Sequence, residues 1–235
     1  MGAIAALAAI ALPASATAAA PARAPARTAT LSNETTHTTW TLANYRAQIH
    51  SQPSTHSHAI TRLLIGTPDG LGLQTYLLLS EQSNSSGTWV KLRIPGRPNG
   101  RVGWVRRGAL LGFQVVHTEI VVNRAARLLT LYRDGAKIFT APVGVGKPST
   151  PTPAGHFWIT EAFASTDPFY GPYAFGTTDY STLSEWPGGG VVGLHGTNEP
   201  QLIPGDPSHG CIRLRNSDIL RLKKLVPIGT PVWVQ

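Results

Sequence analysis

Cysteine is almost absent from this sequence, because Cys211 is the only one in 235 residues. A single cysteine cannot form a disulfide within the chain, so its thiol is either a small buried apolar group or a reactive group. Methionine also occurs once, and only 14% of the residues are charged. With 24 glycines and 19 prolines, this composition favours short strands and turns over long helices.

Several motifs of cofactor-dependent and nucleic-acid-binding proteins are missing as well. The chain has no long basic run, no zinc-finger or RNP-type pattern and no glycine-rich phosphate loop. Its formal net charge of +8 would attract any polyanion, but a solvated basic surface is the better explanation of that charge. We therefore expect no nucleic-acid partner, no metal and no cofactor.

The first twenty residues indicate export. Residues 1–20 contain an apolar run followed by small residues of the A-x-A kind, which is typical of a secretory signal and its cleavage region. The run is short for a membrane span, and no Lys or Arg precedes it. We expect an extracytoplasmic location in the cell wall or envelope, with a low-complexity disordered N-terminus as the alternative.

Residues 21–60 are predicted to be a linker. They are rich in Ala, Pro, Thr, Ser and His and show little apolar periodicity, so they bury too little surface to offset their ordering entropy. One short helix is predicted within this segment, over residues 42–49.

Residues 61–112 are predicted to be a small β domain. Alternating runs at 75–79 and 89–94 predict strands, and turn residues separate them. The W-V-K-L, P-N-G and G-W-V segments within residues 89–105 resemble bacterial SH3-like modules. That resemblance implies a small β-barrel with a possible cell-wall ligand, for which Trp89 and Trp104 either line a groove or serve the core.

The remaining residues, 113–235, carry the candidate chemistry on a second strand-rich domain. Asp134-Gly135 is a strong hairpin signal, and Asn216-Ser217-Asp218 predicts the cap of a short helix after Cys211. Residues 162–190 contain seven aromatic side chains among many Gly and Pro residues. A long irregular loop inside a compact domain usually serves as a lid or a substrate wall.

A thiol attacks a carbonyl as thiolate, and its ordinary pKa near 8.5 means that it needs a proton acceptor. His195 and His209 are both candidates, since histidine titrates close to neutrality. His209 would share a side with Cys211 if the segment were extended, whereas the fold must bring His195 in. Gly210 permits a tight turn that aims backbone N–H groups at an oxyanion. These residues alone leave an inert cysteine equally open.

Two motifs resemble the L,D-transpeptidase catalytic domain: H-G-T at 195–197 and S-H-G-C-I-R-L at 208–214, the latter followed by Asn216 and Asp218. Upstream glycines at 143–146 and the T-P-A-G sequence at 152–155 match further family positions. The likeness covers about residues 115–235. It implies a mainly β protein, in which the SH3-like barrel precedes a β-sandwich-like catalytic domain with a short helix after the cysteine.

The resemblance also implies a reaction. In this family a cysteine cleaves a peptidoglycan stem peptide between its diamino acid and the following D-alanine, and passes the acyl group to an amine or to water. Carbapenem-type β-lactams are accepted as inhibitors. Carried over, the nucleophile is Cys211 and the base is His195, which the carbonyl of Gly196 would orient. The supporting residues implied are oxyanion donors or pocket residues at His209 and Gly210, and support or substrate contact from Ser208 and Arg213.

Two other functions stay open from the sequence. An L,D-carboxypeptidase would hydrolyse the same thioester. A non-catalytic wall-binding protein would use the SH3-like part and a retired enzyme fold, although the intact Cys211 and His195 argue against it.

Overall fold

A computed structural model describes residues 2, 27–68, 70, 72–185 and 187–235. The signal-like segment 1–20 falls outside the described residues except for residue 2, so export stays a prediction. Over the described ranges the fold is mainly β, as predicted, with two sheets and one short α-helix. None of the helices in these ranges is long and apolar enough to cross a membrane.

The first sheet contains eight strands in the order β4-β3-β7-β6-β5-β2-β8, and β1 pairs with β5. All its strand pairs are antiparallel. Its strands are β1 Arg27–Thr30, β2 Thr38–Leu42, β3 Gln48–His50, β4 Ala59–Arg62, β5 Thr75–Asn84, β6 Gly87–Arg93, β7 Val102–Arg106 and β8 Gln114–Val116.

The second sheet contains ten strands in the order β11-β10-β9-β18-β13-β14-β15-β17-β12-β16. Three of its pairs are parallel, namely β9–β18, β15–β17 and β12–β16. The bounds are β9 Thr118–Asn123, β10 Leu128–Arg133, β11 Ala136–Pro142, β12 Gly144–Gly146, β13 Gly155–Ala164, β14 Tyr173–Tyr180, β15 Val191–His195, β16 Gly205–Ser208, β17 Ile212–Arg213, α1 Asn216–Leu222 and β18 Pro231–Val234.

Each sheet has its own apolar core. In the second sheet, alternate residues of β9 and β10 point inward beside Phe157, Phe175 and Leu194, as expected for strands with one covered face. Helix α1 covers this core with Ile219 and Leu222, which are fully buried. The helix therefore anchors the chain that leaves Cys211.

The linker predicted at 21–60 is wrong over its described part. Residues 27–60 supply strands β1 to β4, and β2 pairs with both β5 and β8 in the first sheet. Segment 42–49 is not helical either, because Ala43 bridges to Leu110 and the strand β3 begins at Gln48. Threonine runs are polar, yet Thr38, Thr39 and Thr41 are buried with their backbones in the sheet.

The predicted boundary and the predicted loop also shift. Strand β8, inside the region assigned to the second domain, pairs with β2 of the first sheet, which moves the boundary to residues 116 and 117. Most of the irregular stretch 162–190 is the hairpin of β13 and β14.

The likeness of the first part to SH3-like modules stays a prediction. Within this part, Trp89 is fully buried and its Nε1 donates to Ser86 Oγ at 2.9 Å.

Buried hydroxyls join the two sheets. Thr75 Oγ1 on β5 donates to Thr160 Oγ1 and accepts a hydrogen bond from Trp158 Nε1, both at 2.9 Å. Asn99 and Arg97 lie in the β6–β7 connection. Asn99 Nδ2 donates to Asp179 Oδ1 on β14, and Arg97 donates to the carbonyl oxygens of Ser181 and Gly189 in the connection between β14 and β15. The first sheet therefore contacts the segment that lines the candidate site.

We predict that Thr75→Val lowers the free energy of unfolding by about 1–3 kcal/mol, because it leaves a buried indole N–H without an acceptor. Chemical denaturation of the full chain measures this change. Thr28→Val, on exposed strand β1, is the matched control and should stay close to wild type. Equal stability of the two variants would contradict the assigned role of this hydroxyl.

Candidate active site

His195 ends β15 and is 1% exposed. Its Nδ1 lies 2.6 Å from the carbonyl oxygen of Gly196. A carbonyl can only accept, so Nδ1 carries the proton and Nε2 is the bare acceptor. Nε2 has no hydrogen-bond partner among the described residues. The hydrogen bond to the Gly196 carbonyl is the one that the family resemblance implies. It leaves the lone pair of the buried Nε2 without a donor.

The pKa of His195 is lowered to about 4, mainly by burial, with the hydrogen bond to Gly196 opposing the shift and the charge of Arg213 adding to it. The imidazole is therefore neutral at neutral pH. A neutral ring is the form that can take a proton from a thiol.

Cys211 immediately precedes β17, which runs parallel to β15 with Leu194 level with Ile212. This register places the cysteine beside the strand that ends at His195. The Gly193 N–H donates to Cys211 Sγ at 3.5 Å. Burial raises the pKa of the thiol above its ordinary value, and the Gly193 hydrogen bond opposes that shift. At rest, therefore, Cys211 is a neutral thiol and His195 is a neutral imidazole, whose Nε2 is not hydrogen-bonded to the sulfur.

The turn before Cys211 is held by two buried hydroxyls. Ser208 Oγ donates to the Cys211 carbonyl at 2.6 Å and accepts the Gly210 N–H at 3.1 Å. Thr152 Oγ1 donates to the Gly210 carbonyl at 2.8 Å. Gly210 has φ +128, a conformation that suits glycine. Ser208 is 1% exposed and serves this turn, which argues against direct substrate contact.

The expected oxyanion role of Gly210 needs a correction. Its N–H is engaged by Ser208 Oγ, so Gly210 contributes its backbone turn and not a free donor. His209 would share a side with Cys211 only in an extended segment. Residues 209 and 210 instead form a bend after β16, so this premise does not hold. His209 is half-buried, with Nε2 3.1 Å from Lys147 Nζ. Its pKa is lowered by burial first and by the charge of Lys147 second.

Arg213 is 4% exposed and bonds to Glu199 Oε2 at 2.8 Å. Its guanidinium lies 4.8 Å from the centre of the Phe169 ring. Its positive charge lowers the pKa values of both Cys211 and His195. The guanidinium thus favours thiolate over thiol and disfavours an imidazolium, and it acts from a covered position.

Two aromatic rings form a wall over the imidazole. The 3-10 turn Pro168–Tyr170 begins at Asp167, whose side chain accepts the Phe169 N–H at 2.9 Å. The Phe169 and Tyr170 rings lie 5.9 and 5.0 Å from the His195 ring centre. Within the described residues of the predicted aromatic loop, this short part is the one whose rings contact His195.

The sequence predicts that Asn216 contributes to the cap of α1, whereas in the structure its side chain binds the H-G-T segment. The residue before the helix is Arg215, which makes no side-chain cap, while Asn216 Oδ1 accepts the Thr197 N–H at 2.9 Å. The start of the helix thereby fixes the H-G-T segment. This contact links the chain after Cys211 to the residue that follows Gly196.

Asp179 belongs to the site, and sequence reasoning missed it. It is 1% exposed, its Oδ1 accepts from Asn99 Nδ2 at 2.8 Å, and its Oδ2 has no partner among the described residues. Burial raises the pKa of this carboxyl to about 8. When ionised, it raises the pKa of Cys211. A lone Asp in an aromatic stretch carries no pattern that distinguishes it from a surface carboxylate.

The described residues contain no group of three or more His, Cys, Asp or Glu side chains that could hold a metal ion. What they do bring together is one cysteine, one buried histidine with an oriented ring, and a turn held by hydroxyls. A cysteine and a histidine on neighbouring strands are the residue types that an acyl-transfer site uses, and in this structure Nε2 of His195 makes no hydrogen bond to the sulfur.

Comparison with known proteins identifies the family. The family model of the YkuD L,D-transpeptidase catalytic domain matches residues 117–234, half of the chain. The chain belongs to this family. The match begins where the second sheet begins, so the family domain coincides with that sheet and its helix.

Individual relatives agree with the family match. YkuD of Bacillus subtilis is 36% identical over 116 residues, which are 49% of this chain and 65% of that protein. YbiS of Escherichia coli is 33% identical over 135 residues, with 50% of this chain and 44% of that protein covered. The chain thus matches less than two thirds of either relative. The solved catalytic domain of the E. faecium L,D-transpeptidase is 27% identical, with TM-score 0.41, and covers 50% of this chain and 96% of that chain.

We predict a distinct pH dependence of stability from Asp179. Since its pKa is raised in the folded protein, its contribution is fully present below the unfolded pKa near 4 and is lost as pH rises through about 8. Asp179→Asn can keep the contact with Asn99 and cannot ionise. The variant should therefore gain unfolding free energy relative to wild type between pH 5 and pH 8.

Denaturant unfolding at both pH values measures this difference. Glu185→Gln, at an exposed position, is the control and should not change the pH slope. Parallel curves for Asp179→Asn and wild type would show that the carboxyl is already ionised in the fold.

Proposed function

We propose that this protein is a peptidoglycan L,D-transpeptidase that works through a thioester on Cys211. The observation that carries the proposal is the buried His195, neutral and with Nε2 open, on the strand beside the only cysteine. Family membership supports the reaction class. Donor and acceptor are stem peptides of peptidoglycan.

In the first half of the reaction, Nε2 of His195 takes the thiol proton as Sγ attacks the carbonyl of the diamino acid. The amide carbonyl becomes an oxyanion, and its collapse breaks the bond to D-alanine. The departing amine takes the proton from the imidazolium. The products are free D-alanine and an acyl thioester on Cys211.

In the second half, an amine of a neighbouring stem peptide attacks the thioester and gives its proton to Nε2. A new amide forms, the sulfur leaves, and the imidazole returns the proton to it. Water in place of the amine gives a carboxylic acid, which is the L,D-carboxypeptidase alternative. The wall of Phe169 and Tyr170 over His195 favours transfer, because a covered thioester meets less water.

The remaining residues act in support. Arg213 is engaged by Glu199 and lies under Phe169, so we assign it the electrostatic stabilisation of thiolate and not a direct grip on substrate. His209 lies beside Lys147, and we assign it a supporting role in shaping the surface next to Cys211. Export follows from segment 1–20, and wall binding by the first sheet follows from its SH3-like pattern; both are parts of this proposal. No metal, cofactor or nucleic acid takes part in it.

We predict that Cys211→Ala abolishes acylation by a carbapenem, whose strained amide carbonyl the thiol attacks. Intact-protein mass spectrometry should show one adduct on wild type and none on the variant. An adduct of the same mass and yield on Cys211→Ala would refute the nucleophile. The experiment also tests the non-catalytic alternative, which predicts no adduct on either protein.

We predict that His195→Gln slows this acylation by about 10²–10⁴-fold, the range that a general base contributes. His209→Gln is the matched control and should cause a much smaller loss. Mass spectrometry of samples quenched at successive times gives the acylation rates of both variants, and circular dichroism checks that each is folded. A larger loss for His209→Gln would mean that the two histidines exchange roles.

We predict that Phe169→Ala increases the share of hydrolysis, because it opens the wall above the thioester to water. The readout is the ratio of cross-linked dimer to tripeptide formed from disaccharide-tetrapeptide. Phe163→Ala removes an exposed ring of the same hairpin and should leave the ratio unchanged. An unaltered ratio for Phe169→Ala would remove the proposed shielding.

A further inference from the structure

We infer that Thr152 is a positioning residue that aims the backbone N–H of Cys211 at the oxyanion of the acyl-transfer step. The inference rests on the proposed function and assigns it a residue outside the H-G-T and S-H-G-C segments. Thr152 lies between β12 and β13 and is 1% exposed. Its hydroxyl makes two hydrogen bonds, one in each direction.

The first hydrogen bond determines how the peptide before the nucleophile is turned. Thr152 Oγ1 donates to the carbonyl oxygen of Gly210 at 2.8 Å. The peptide that joins Gly210 to Cys211 is trans, so its N–H points opposite to that carbonyl. Holding the oxygen at Thr152 therefore directs the Cys211 N–H away from Thr152. A flip of this peptide would reverse that direction.

The second hydrogen bond fixes the hydroxyl itself. Thr152 Oγ1 accepts the Gly146 N–H at 2.9 Å, which leaves its proton for the Gly210 carbonyl. Arg124 Nη1 donates to the Thr152 carbonyl at 2.8 Å and holds the backbone from the other side. A hydroxyl with both partners set has one orientation, so it can impose one orientation on the peptide.

The turn depends on such outside support. Gly210 has φ +128 and no side chain to lock it. Its N–H is bound by Ser208 Oγ, and a Cβ there would lie 3.0 Å from the Cβ of Ser181. Ser208 thus binds the N–H of Gly210, and Thr152 binds its carbonyl. With the Gly210 N–H engaged by Ser208 Oγ, we assign the oxyanion to the N–H of Cys211.

One oxyanion donor is typically worth about 10²–10³ in rate. Alkylation of a thiol by iodoacetamide forms no oxyanion, so it reports thiol access and ionisation without this donor. Comparing the acylation rate with the alkylation rate therefore distinguishes a misdirected Cys211 N–H from a general loss of thiol access or ionisation. Valine has the shape of threonine and makes neither hydrogen bond, whereas serine makes both.

The test uses the full chain with Thr152→Val, Thr152→Ser and the control Thr150→Val. Thr150 lies two residues away and is also buried, but its hydroxyl has no partner among the described residues. For each protein, mass spectrometry gives the rate of carbapenem acylation and the rate of iodoacetamide alkylation. Thermal unfolding confirms the fold. If Thr152→Val does not fold, Thr152→Ala replaces it.

We expect Thr152→Val to lose about 10²-fold in acylation while its alkylation stays close to wild type. Thr152→Ser should regain most of the acylation rate, and Thr150→Val should match wild type in both reactions. Equal acylation of Thr152→Val and wild type would overturn the inference. A parallel fall of acylation and alkylation would overturn it too, since that would show a purely structural role. If the wild-type protein itself is not acylated, the proposed function is contradicted, and this inference falls with it.

Discussion

The hydrogen bond from His195 Nδ1 to the Gly196 carbonyl, at 2.6 Å, decides what the site can do. It selects the tautomer, and so makes Nε2 the basic nitrogen. Burial then keeps the ring neutral, and the β15–β17 register places Cys211 beside the strand that His195 ends. If the ring were turned over, a proton would occupy the position from which the thiol must be deprotonated.

The surroundings of this hydrogen bond share one feature: each segment of the site is held by side chains from another segment. The H-G-T segment is tied to α1 through Asn216, and the turn before Cys211 is tied to the β12–β13 connection through Thr152. The end of β14 is tied to the first sheet through Arg97 and Asn99. A thiol site with a neutral resting pair relies on such preorganisation, since no ion pair draws the partners together.

The sequence predicted the family and the mainly β fold class, and it was wrong about the segment before residue 61. Cys211 stood out because it is alone, and the motif around it is specific enough to indicate the family, which the match to residues 117–234 confirms. The Asp134–Gly135 hairpin is also present as predicted. These features depend on local residue identity, which a single sequence contains.

The errors arose where tertiary contacts override local composition. Residues 27–60 read as a polar linker because their threonines suggest solvent, yet Thr38, Thr39 and Thr41 are buried within strands. Asp179 and Thr152 gave no signal of their own, since their partners lie in distant segments: Asn99 for the first, Gly210 for the second. The engaged N–H of Gly210 depends on a side-chain rotamer of Ser208, which no spacing rule supplies.

The central claim is that the resting enzyme holds a neutral His195, protonated on Nδ1, beside a protonated Cys211. Nitrogen-15 NMR of the imidazole, assigned with the help of His195→Asn, measures this directly. The account predicts a proton on Nδ1 and none on Nε2 at pH 7, with the second proton added only near pH 4. A doubly protonated ring at pH 7 would contradict it, because His195 would then be the imidazolium of an ion pair and could not act as the base that deprotonates the thiol.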